Sequence, residues 1–503
     1  MAFITENKQY FTNDGIPYVW GSGGIDPSTF SVEKLWVAEG DNTNRFLGVS
    51  RPSIGGGYIL TSQRSNIYNI QANDKILQFI ARPDLVDGTN GLSNYMQSTS
   101  LYNFTRFSYN SAGLDDVIFY NSTNKLDFTS TTFYHQGRLI VGTLFNDRFA
   151  IIYPYRPSSI NNALTLTKYS DTDFPGTFSS STWNGFGMHI NVGNGRIVTS
   201  NAGIYFRSWY FSNKSVFVTD LNGEHLTTID DPLNDIYSKF GGSGWYGLSE
   251  GLYNAPSQGI AIGNGRIVVG SPNTNRTTSS NYSGIGSIYI YDVYGNLIKT
   301  INRNDSYYQS YAESKGLNRL PGNTSRYGGG FGMYVDVACG RIAATSIYEG
   351  YQGNSSQRGA TWLFDLNGNL VDLLTTPVTE GQPAPSNPTG STAYHQGSGL
   401  SVAIGSGIVA VGDPTSNRYR TNEGEVYLYN LDGDYLQTLR HPGRESSGIN
   451  GDNNYFGLGI AIKDGLLAIT SPGYGSNRGA LWVYKVPKVY TAYDILDFDQ
   501  GGW

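Results

Sequence analysis

One sequence unit recurs seven times between Gly57 and Gly465: a short apolar segment, a glycine turn and a second apolar segment that in most copies ends in Gly-Ser-Pro or a related sequence. The turn glycines recur about every 68 residues and are Gly57, Gly137, Gly195, Gly265, Gly340, Gly407 and Gly465. A unit of this size buries its apolar face only against its neighbours. The repeat therefore constrains the fold more strongly than any single residue does.

The copy around Gly265 shows what one unit contains. GIAIG and RIVVGS are separated by Asn264-Gly265, a two-residue hairpin signal because both turn positions require a positive φ. SIYIYDVYGNLIKTI, Ser287 to Ile301, then supplies two further strands. Each unit is thus predicted to form four antiparallel strands. Seven units predict an all-β fold, a seven-bladed β-propeller with terminal arms outside the blades.

The last copy lacks its fourth strand, because no glycine hairpin follows ALWVYKVP, Ala480 to Pro487. An unassigned strand at residues 31–40 precedes the first copy, and we expect it to complete the seventh blade and close the ring. The propeller is then residues 31–487, and residues 82–130 form an irregular insertion within it. An eighth blade is the alternative for that insertion.

Composition excludes several classes of function. The net charge of -6 argues against nucleic-acid binding, which relies on basic residues at the phosphates. No stretch approaches 18 apolar residues, so membrane insertion is not expected. The single cysteine, Cys339, cannot form an internal disulfide, and the N-terminal segment does not have the pattern of a signal peptide.

Catalytic and metal-binding patterns are not found. The five histidines do not have HExxH spacing, and no GxSxG motif occurs. Segments such as Asp365-Leu366-Asn367-Gly368 resemble the start of a calcium loop, but an Asp closing a hairpin explains them. We therefore predict no catalytic residue, no metal and no cofactor. A deep central pocket lined by two carboxylates would instead indicate a glycan hydrolase.

Aromatic residues in the variable loops are the candidate surface or receptor contacts, because aromatic faces stack on sugars and anchor protein interfaces. They are Trp245, Tyr246, Tyr282, Tyr307, Tyr308, Tyr348 and Tyr351. Packing of these residues among the long loops is the alternative.

Residues 1–30 and 488–503 mix aromatic, acidic and glycine residues, and they are too apolar for simple disordered tails. We expect them to be docking arms onto a neighbouring subunit, with packing on their own propeller as the alternative. The candidate docking residues are Tyr10, Phe11, Tyr18, Trp20, Tyr493, Phe498 and Trp503.

The units resemble FG-GAP-type propeller repeats, the family that includes the integrin α-subunit propeller. The matching features are a Phe-Gly start, a Gly-Ser-Pro end and a following Gly-x-x-Tyr strand, as in Phe331-Gly332, Gly270-Ser271-Pro272 and Gly286 to Tyr289. The calcium loop of that family is shortened here to sequences such as Gly-Asn-Gly, so its calcium is not expected.

The shortened form is similar to propeller repeats in virion proteins of tailed phages, particularly those of marine cyanobacteria. This resemblance implies a non-enzymatic tail, fibre or decoration protein, located in the virion and assembled in the host cytoplasm. Its partners would be other tail or capsid proteins, copies of itself, and a host-surface glycan or protein. The alternatives are a secreted or surface carbohydrate-binding adhesion propeller and, third, a glycan hydrolase.

Overall fold

The computed structural model describes residues 3–4, 10–11, 17–19, 25, 27–28, 30–40, 47–48, 51–55, 58–63, 75–80, 132–135, 138–142, 148–153, 165–170, 173–174, 186–187, 189–201, 214–233, 240–242, 258–272, 274, 285–317, 330–347, 349, 359–377, 398–416, 422–442, 453–487 and 490–491. These residues are almost entirely β-structure, which confirms the all-β prediction.

The strands are, in chain order, β1 (Phe3–Ile4), β2 (Tyr10–Phe11), β3 (Pro17–Val19), β4 (Glu33–Glu39), β5 (Ser53–Gly55), β6 (Tyr58–Gln63), β7 (Lys75–Ile80), β8 (Thr132–His135), β9 (Arg138–Gly142), β10 (Arg148–Tyr153), β11 (Thr165–Ser170), β12 (Ile190–Gly193), β13 (Arg196–Ser200), β14 (Ser215–Asp220), β15 (His225–Asp230), β16 (Ile260–Gly263), β17 (Arg266–Ser271), β18 (Ser287–Asp292), β19 (Leu297–Asn302), β20 (Phe331–Ala338), β21 (Arg341–Ser346), β22 (Ala360–Asp365), β23 (Leu370–Thr375), β24 (Ser401–Gly405), β25 (Ile408–Asp413), β26 (Glu425–Asn430), β27 (Tyr435–Arg440), β28 (Ile460–Lys463), β29 (Leu466–Ser471), β30 (Ala480–Lys485) and β31 (Tyr490–Thr491). The helices are α1 (Ser306–Ser314) and α2 (Tyr474–Asn477).

Six four-stranded antiparallel sheets make up most of the fold. Sheets 1 to 5 are the consecutive sets β8–β11, β12–β15, β16–β19, β20–β23 and β24–β27, and sheet 6 is β28–β30 followed by β4. Each sheet is a meander in which neighbouring strands pair antiparallel, as the repeat predicts. In sheet 6, β4 pairs with β30 from Glu39 opposite Ala480 to Glu33 opposite Lys485.

The prediction of seven four-stranded blades is wrong in its count, because the described residues form six such sheets. The copy around Gly57 forms a sheet of three strands, β5, β6 and β7, in the described part of the chain. Sheets 2 to 5 close their second hairpin with a glycine at positive φ, such as Gly295 at 91°. β7 pairs directly with β6, so it is the third strand of its sheet, and the described residues contain no fourth strand beside it. Residues 82–130 lie outside the described residues.

The first hairpin of each sheet has the predicted turn geometry. Asn264 and Gly265 have φ values of 49° and 76°, so both central positions are left-handed, as two-residue hairpins of this type require. Cys339 and Asp464 adopt the same conformation at the equivalent position, each with a φ of 53°. The turn geometry is therefore retained where the residue is neither Gly nor Asn.

The core lies in layers between adjacent sheets. Ile267, Val268 and Val269 on β17 are all buried, because both faces of sheet 3 are covered by neighbouring sheets. The largest buried side chain is Trp362 on β22, which packs between sheets 3 and 4. Burial on both faces explains why the second strands are almost continuously apolar rather than alternating.

An arginine that follows the turn glycine joins one sheet to the second hairpin of the next. The Arg266 guanidinium donates a hydrogen bond from Nε to the Leu366 carbonyl oxygen, 2.9 Å away, and approaches Asn367 Oδ1 at 3.5 Å. In the following copy, Arg341 Nε donates to the Leu431 carbonyl oxygen at 2.7 Å. These bonds satisfy carbonyl groups that the hairpin turn leaves without a strand partner.

In sheets 1 and 2 the arginine at the same position of the repeat also contacts the second hairpin of the next sheet. Arg138 Nη2 donates to Asn222 Oδ1 at 2.8 Å, and the Arg196 guanidinium lies 5.3 Å from the centroid of the Tyr294 ring. Sheets 1 to 5 are thus linked in one direction by four arginines at a fixed place in the repeat.

The β1–β3 strands form a separate small sheet with β31. β3 and β31 run parallel, with Tyr18 opposite Tyr490 and Val19 opposite Thr491. The two terminal segments are therefore joined to each other. Among the described residues, no helix is long and apolar enough to cross a membrane.

Replacing Arg266 with Met should lower the free energy of unfolding by about 1–2 kcal/mol, because the β22–β23 turn loses its hydrogen-bond donor. The control is Arg266→Lys, which keeps the charge but not the planar set of donors and should recover only part of the loss. Urea unfolding measures both. A wild-type midpoint for Arg266→Met would contradict the role assigned to this residue.

Deleting residues 1–40 removes β4 and leaves β30 without its outer partner, so the melting temperature should fall by more than about 5 °C. Deleting residues 1–24 keeps β4 and should have a much smaller effect. Differential scanning calorimetry of the two truncated proteins compares them directly. Equal melting temperatures would show that β4 does not stabilise sheet 6.

Candidate functional site

The first strands of the six sheets and β5 surround a cavity of about 240 Å³. Residues from all seven strands or their turns line it, so it lies where the inner strands converge. Its polar and charged lining residues are Arg51, Ser53, His135, Asn191, Asn194, Asp336, Ser406, Lys463 and Asp464. A concave site with a few convergent polar groups is the usual form of a ligand pocket, which makes this cavity the candidate site.

Glycines allow the inner strands to approach one another at the cavity. A Cβ at Gly193 would lie 2.6 Å from the Ile262 carbonyl oxygen of the next sheet. A Cβ at Gly263 would collide with the Val337 carbonyl oxygen, and Gly405 is equally close to the next sheet. The glycine before the turn in these copies is therefore required by backbone packing.

Side chains in the first hairpins connect the sheets around the cavity. The first turn residue accepts a hydrogen bond from the turn-glycine N–H of the next sheet. The distances are 3.0, 2.8 and 2.9 Å for the pairs Asn194–Gly265, Asn264–Gly340 and Ser406–Gly465. In these three copies the first turn residue combines a left-handed backbone with a hydrogen-bond acceptor of suitable length.

Asp336 on β20 is the centre of a polar network at the cavity. Its Oδ2 accepts hydrogen bonds from the Ile404 backbone N–H at 2.8 Å and from Arg51 Nη2 at 3.3 Å. Its Oδ1 accepts from Gln258 Nε2 at 3.1 Å, and Arg51 Nε donates to the Ile460 carbonyl oxygen at 3.0 Å. The network therefore connects residues of sheets 3, 4, 5 and 6 with the segment before β5.

Arg51 and Asp336 balance each other's charge in this network. Burial lowers the pKa of the Arg51 guanidinium, and the charge and hydrogen bond of Asp336 partly offset that effect. Arg51 and Asp336 form an ion pair with little solvent exposure. Removing one partner would leave the other as an uncompensated buried charge.

His135 is the last residue of β8 and lines the same cavity. Burial lowers its pKa to about 4, and the positive charges of Lys463 and Arg138 contribute in the same direction. The imidazole is therefore neutral at pH 7. Its Nε2 is buried without a hydrogen-bond partner among the described residues.

Two carboxylate residues, Asp336 and Asp464, belong to the cavity lining, which is the feature that would indicate a glycan hydrolase. Both oxygens of Asp336 already accept hydrogen bonds from Arg51, Gln258 and Ile404. Asp464 occupies the turn position whose equivalents bond the next sheet. The lining fits a structural network better than an acid–base pair, and the absence of enzyme activity stays a prediction.

The Asp-x-Asn-Gly turns are closed by their own side chains. Asp365 Oδ1 accepts hydrogen bonds from the backbone N–H groups of Asn367 and Asn369, both at 2.8 Å, and Oδ2 accepts from Asn369 Nδ2 at 2.8 Å. Burial raises the pKa of Asp365, but these bonds outweigh it and hold the pKa below its ordinary value. The carboxylate is thus engaged by its own turn, as a hairpin signal predicts. Among the described residues, no three His, Cys, Asp or Glu side chains are grouped to hold a metal ion.

The two candidate surface aromatics that the structure describes differ in their exposure to solvent. Tyr307 is 59% exposed, but Tyr308 is only 8% exposed and packs edge-on against Trp362 at 5.8 Å between ring centroids. Tyr308 is therefore not a surface contact. The reason is α1, in which Tyr308 and Ala312 share one buried face while Tyr307 points away from it. Trp245, Tyr246, Tyr282, Tyr348 and Tyr351 lie outside the described residues.

Three of the candidate docking residues lie in the terminal sheet. Tyr10 and Phe11 form β2, and Tyr18 lies in β3. Trp20, Tyr493, Phe498 and Trp503 lie outside the described residues. Docking onto a neighbouring subunit stays a prediction.

The network residues Arg51, Gln258 and Asp336 and the cavity residue His135 were not identified from the sequence. A signal for Asp336 was present, because other copies carry Ala261, Ala403 or Ala461 at the same position of the inner strand. A charge in a strand that is otherwise apolar indicates a buried partner. No such signal marks Arg51, which lies outside the repeated strands.

Sheets of four antiparallel strands around an axial cavity define a repeat protein of the β-propeller type. No family model matches the chain, and no curated protein matches it. Among solved structures, it is similar to a chain in the S. cerevisiae complex of Dbp5 with Nup159, Gle1, IP6 and ADP, with 9% identity, a TM-score of 0.42 and coverage of 94% of this chain and 97% of that one. It is also similar to the WD40 domain of Toxoplasma gondii coronin, with 8% identity, a TM-score of 0.38 and coverage of 91% and 87%.

Replacing Arg51 with Met should lower the free energy of unfolding by about 3–5 kcal/mol, because Asp336 would stay buried without its counter-charge. The double variant Arg51→Met with Asp336→Asn should lose less than the sum of the two single variants. Guanidinium unfolding of all four proteins gives the interaction energy of the pair. Additive losses would show that the two groups act independently.

Proposed function

We propose that this chain is a non-enzymatic structural protein of a phage virion, associated with the tail or a tail fibre and used in assembly, in host-surface attachment, or in both. The observation that carries the proposal is the pairing of the two terminal segments. Because β3 and β31 lie side by side, both ends of the chain belong to one element outside the repeat. Such an element can dock onto another virion protein while the six sheets stay intact.

The axial cavity supports a structural role. Its carboxylate Asp336 holds inner strands together through Arg51, Gln258 and Ile404, which leaves it poorly suited to proton transfer. The resemblance of the repeat to propellers of tailed-phage virion proteins points in the same direction. The partners are then other tail or capsid proteins and copies of this chain, and the location is the virion.

We also propose that β5–β7 is an incomplete seventh blade that closes the ring. In support, β5 contacts β28 of sheet 6 on one side and β8 of sheet 1 on the other. The inner strand of the Gly57 copy is therefore present even though its sheet has three strands in the described residues.

Quantitative mass spectrometry of gradient-purified particles from the source culture tests the virion proposal. We expect this chain to co-sediment with the major capsid protein at a constant ratio, and the ratio separates a tail component from a more abundant capsid decoration. Its absence from the particles would contradict the proposal.

A carbohydrate-binding adhesion protein is the second candidate, favoured by the exposed ring of Tyr307 on α1. A glycan array would then show binding that Tyr307→Ala weakens. The control is Leu233→Ala, because Leu233 is 54% exposed but presents no aromatic face. Equal binding by both variants would exclude a role for Tyr307.

A further inference from the structure

The lining of the axial cavity is asymmetric at its hairpin end, in the layer formed by the last residue of each inner strand. The last residue of the inner strand is small in five copies: Gly55, Gly193, Gly263, Ala338 and Gly405. In the other two copies it is His135 or Lys463, and both line the cavity. Their strands β8 and β28 both contact β5, so the two basic residues flank Gly55. The small residues let the inner strands approach one another, and the two long residues bring nitrogen atoms to one side of the cavity.

Four charged residues line the cavity: Arg51, Asp336, Lys463 and Asp464. Arg51 and Asp336 pair with each other, and Asp464 lies at the turn position that bonds the neighbouring sheet in other copies. Lys463 forms no ion pair in the described part of the chain and is exposed. The charged groups that act most strongly on His135 are Lys463 and Arg138, both cations. At His135 these two cations favour a bound anion.

His135 supplies the second feature of a binding site. Its Nε2 is buried and makes no hydrogen bond within the described residues. A buried polar atom without a partner is costly, and such atoms in native proteins are usually satisfied by water, an ion or a ligand. An imidazole nitrogen can donate to an oxyanion, and an exposed ammonium group can add charge-assisted hydrogen bonds.

We propose that the hairpin end of the axial cavity binds a small oxyanion, a phosphate or carboxylate group, between Lys463 and His135. The Lys463 ammonium supplies the charge, His135 supplies a directional N–H group, and the cavity of about 240 Å³ supplies the space. This site is independent of the proposed virion function, because it would exist on an isolated chain. Binding is non-covalent and requires no other reactant.

The experiment is a titration of the full-length protein, labelled at its histidines, with inorganic phosphate and separately with acetate at constant ionic strength. Proton–carbon NMR follows the imidazole signals, and His135→Gln assigns the His135 signal. We expect a saturable shift of that signal at millimolar probe, and the tighter of the two probes identifies the oxyanion class. The pKa of His135 should rise when the probe is bound. No saturable shift with either probe would overturn the proposal.

Two lysine variants test the location of the site. Lys463→Met should weaken binding about tenfold or more, because a charge-assisted hydrogen bond is lost. Lys485→Met is the matched control, since Lys485 is an exposed lysine of the same sheet that does not line the cavity. Lys463→Arg keeps the charge and should bind. Equal dissociation constants for Lys463→Met and the wild-type protein would contradict the assignment, whatever the effect on stability.

Discussion

The close approach of the inner strands is the constraint on which the rest of this structure depends. At Gly193 and Gly263 the carbonyl oxygen of the next sheet occupies the place of a side chain, so the strands meet backbone to backbone. Hydrogen bonds such as that from the Gly265 N–H to Asn194 then fix the offset between neighbouring sheets. Because the sheets are close at the cavity and diverge outwards, the space between their outer strands must be filled by large side chains such as Trp362.

The arginine after the turn glycine shows how one repeat depends on the next. Arg138, Arg196, Arg266 and Arg341 occur in copies whose following sheet has a second hairpin to contact. Ile408 and Leu466 replace arginine in the two remaining copies of sheets 5 and 6. Sheet 6, which follows sheet 5, ends in β4 from the N-terminal part of the chain. The sheet β5–β7, which follows sheet 6, ends in β7. In the described residues, the arginine is therefore present where the following sheet has a second hairpin.

The polar groups at the axis have two roles. Asp336 is satisfied by three donors from different parts of the chain and acts as a junction between sheets. His135 and Lys463 have no such partners in the described residues, and they belong to the inner-strand position that is small in the other copies. This difference separates a structural network from a candidate binding site within one cavity. It also explains why two carboxylates in the lining do not by themselves indicate catalysis.

The sequence by itself determined the all-β class, the four-strand unit and the left-handed turns, because apolar periodicity and Asn-Gly pairs act over a few residues. It also indicated that Asp365 closes a turn, since its hydrogen-bond donors lie two and four residues away. Only the tertiary structure decided the number of complete sheets, the burial of Tyr308 on α1 and the partners of Asp336. Arg51 and Asp336 are 285 residues apart, and no local pattern encodes their contact. It arises when the inner strands converge and a buried charge must find its counter-charge.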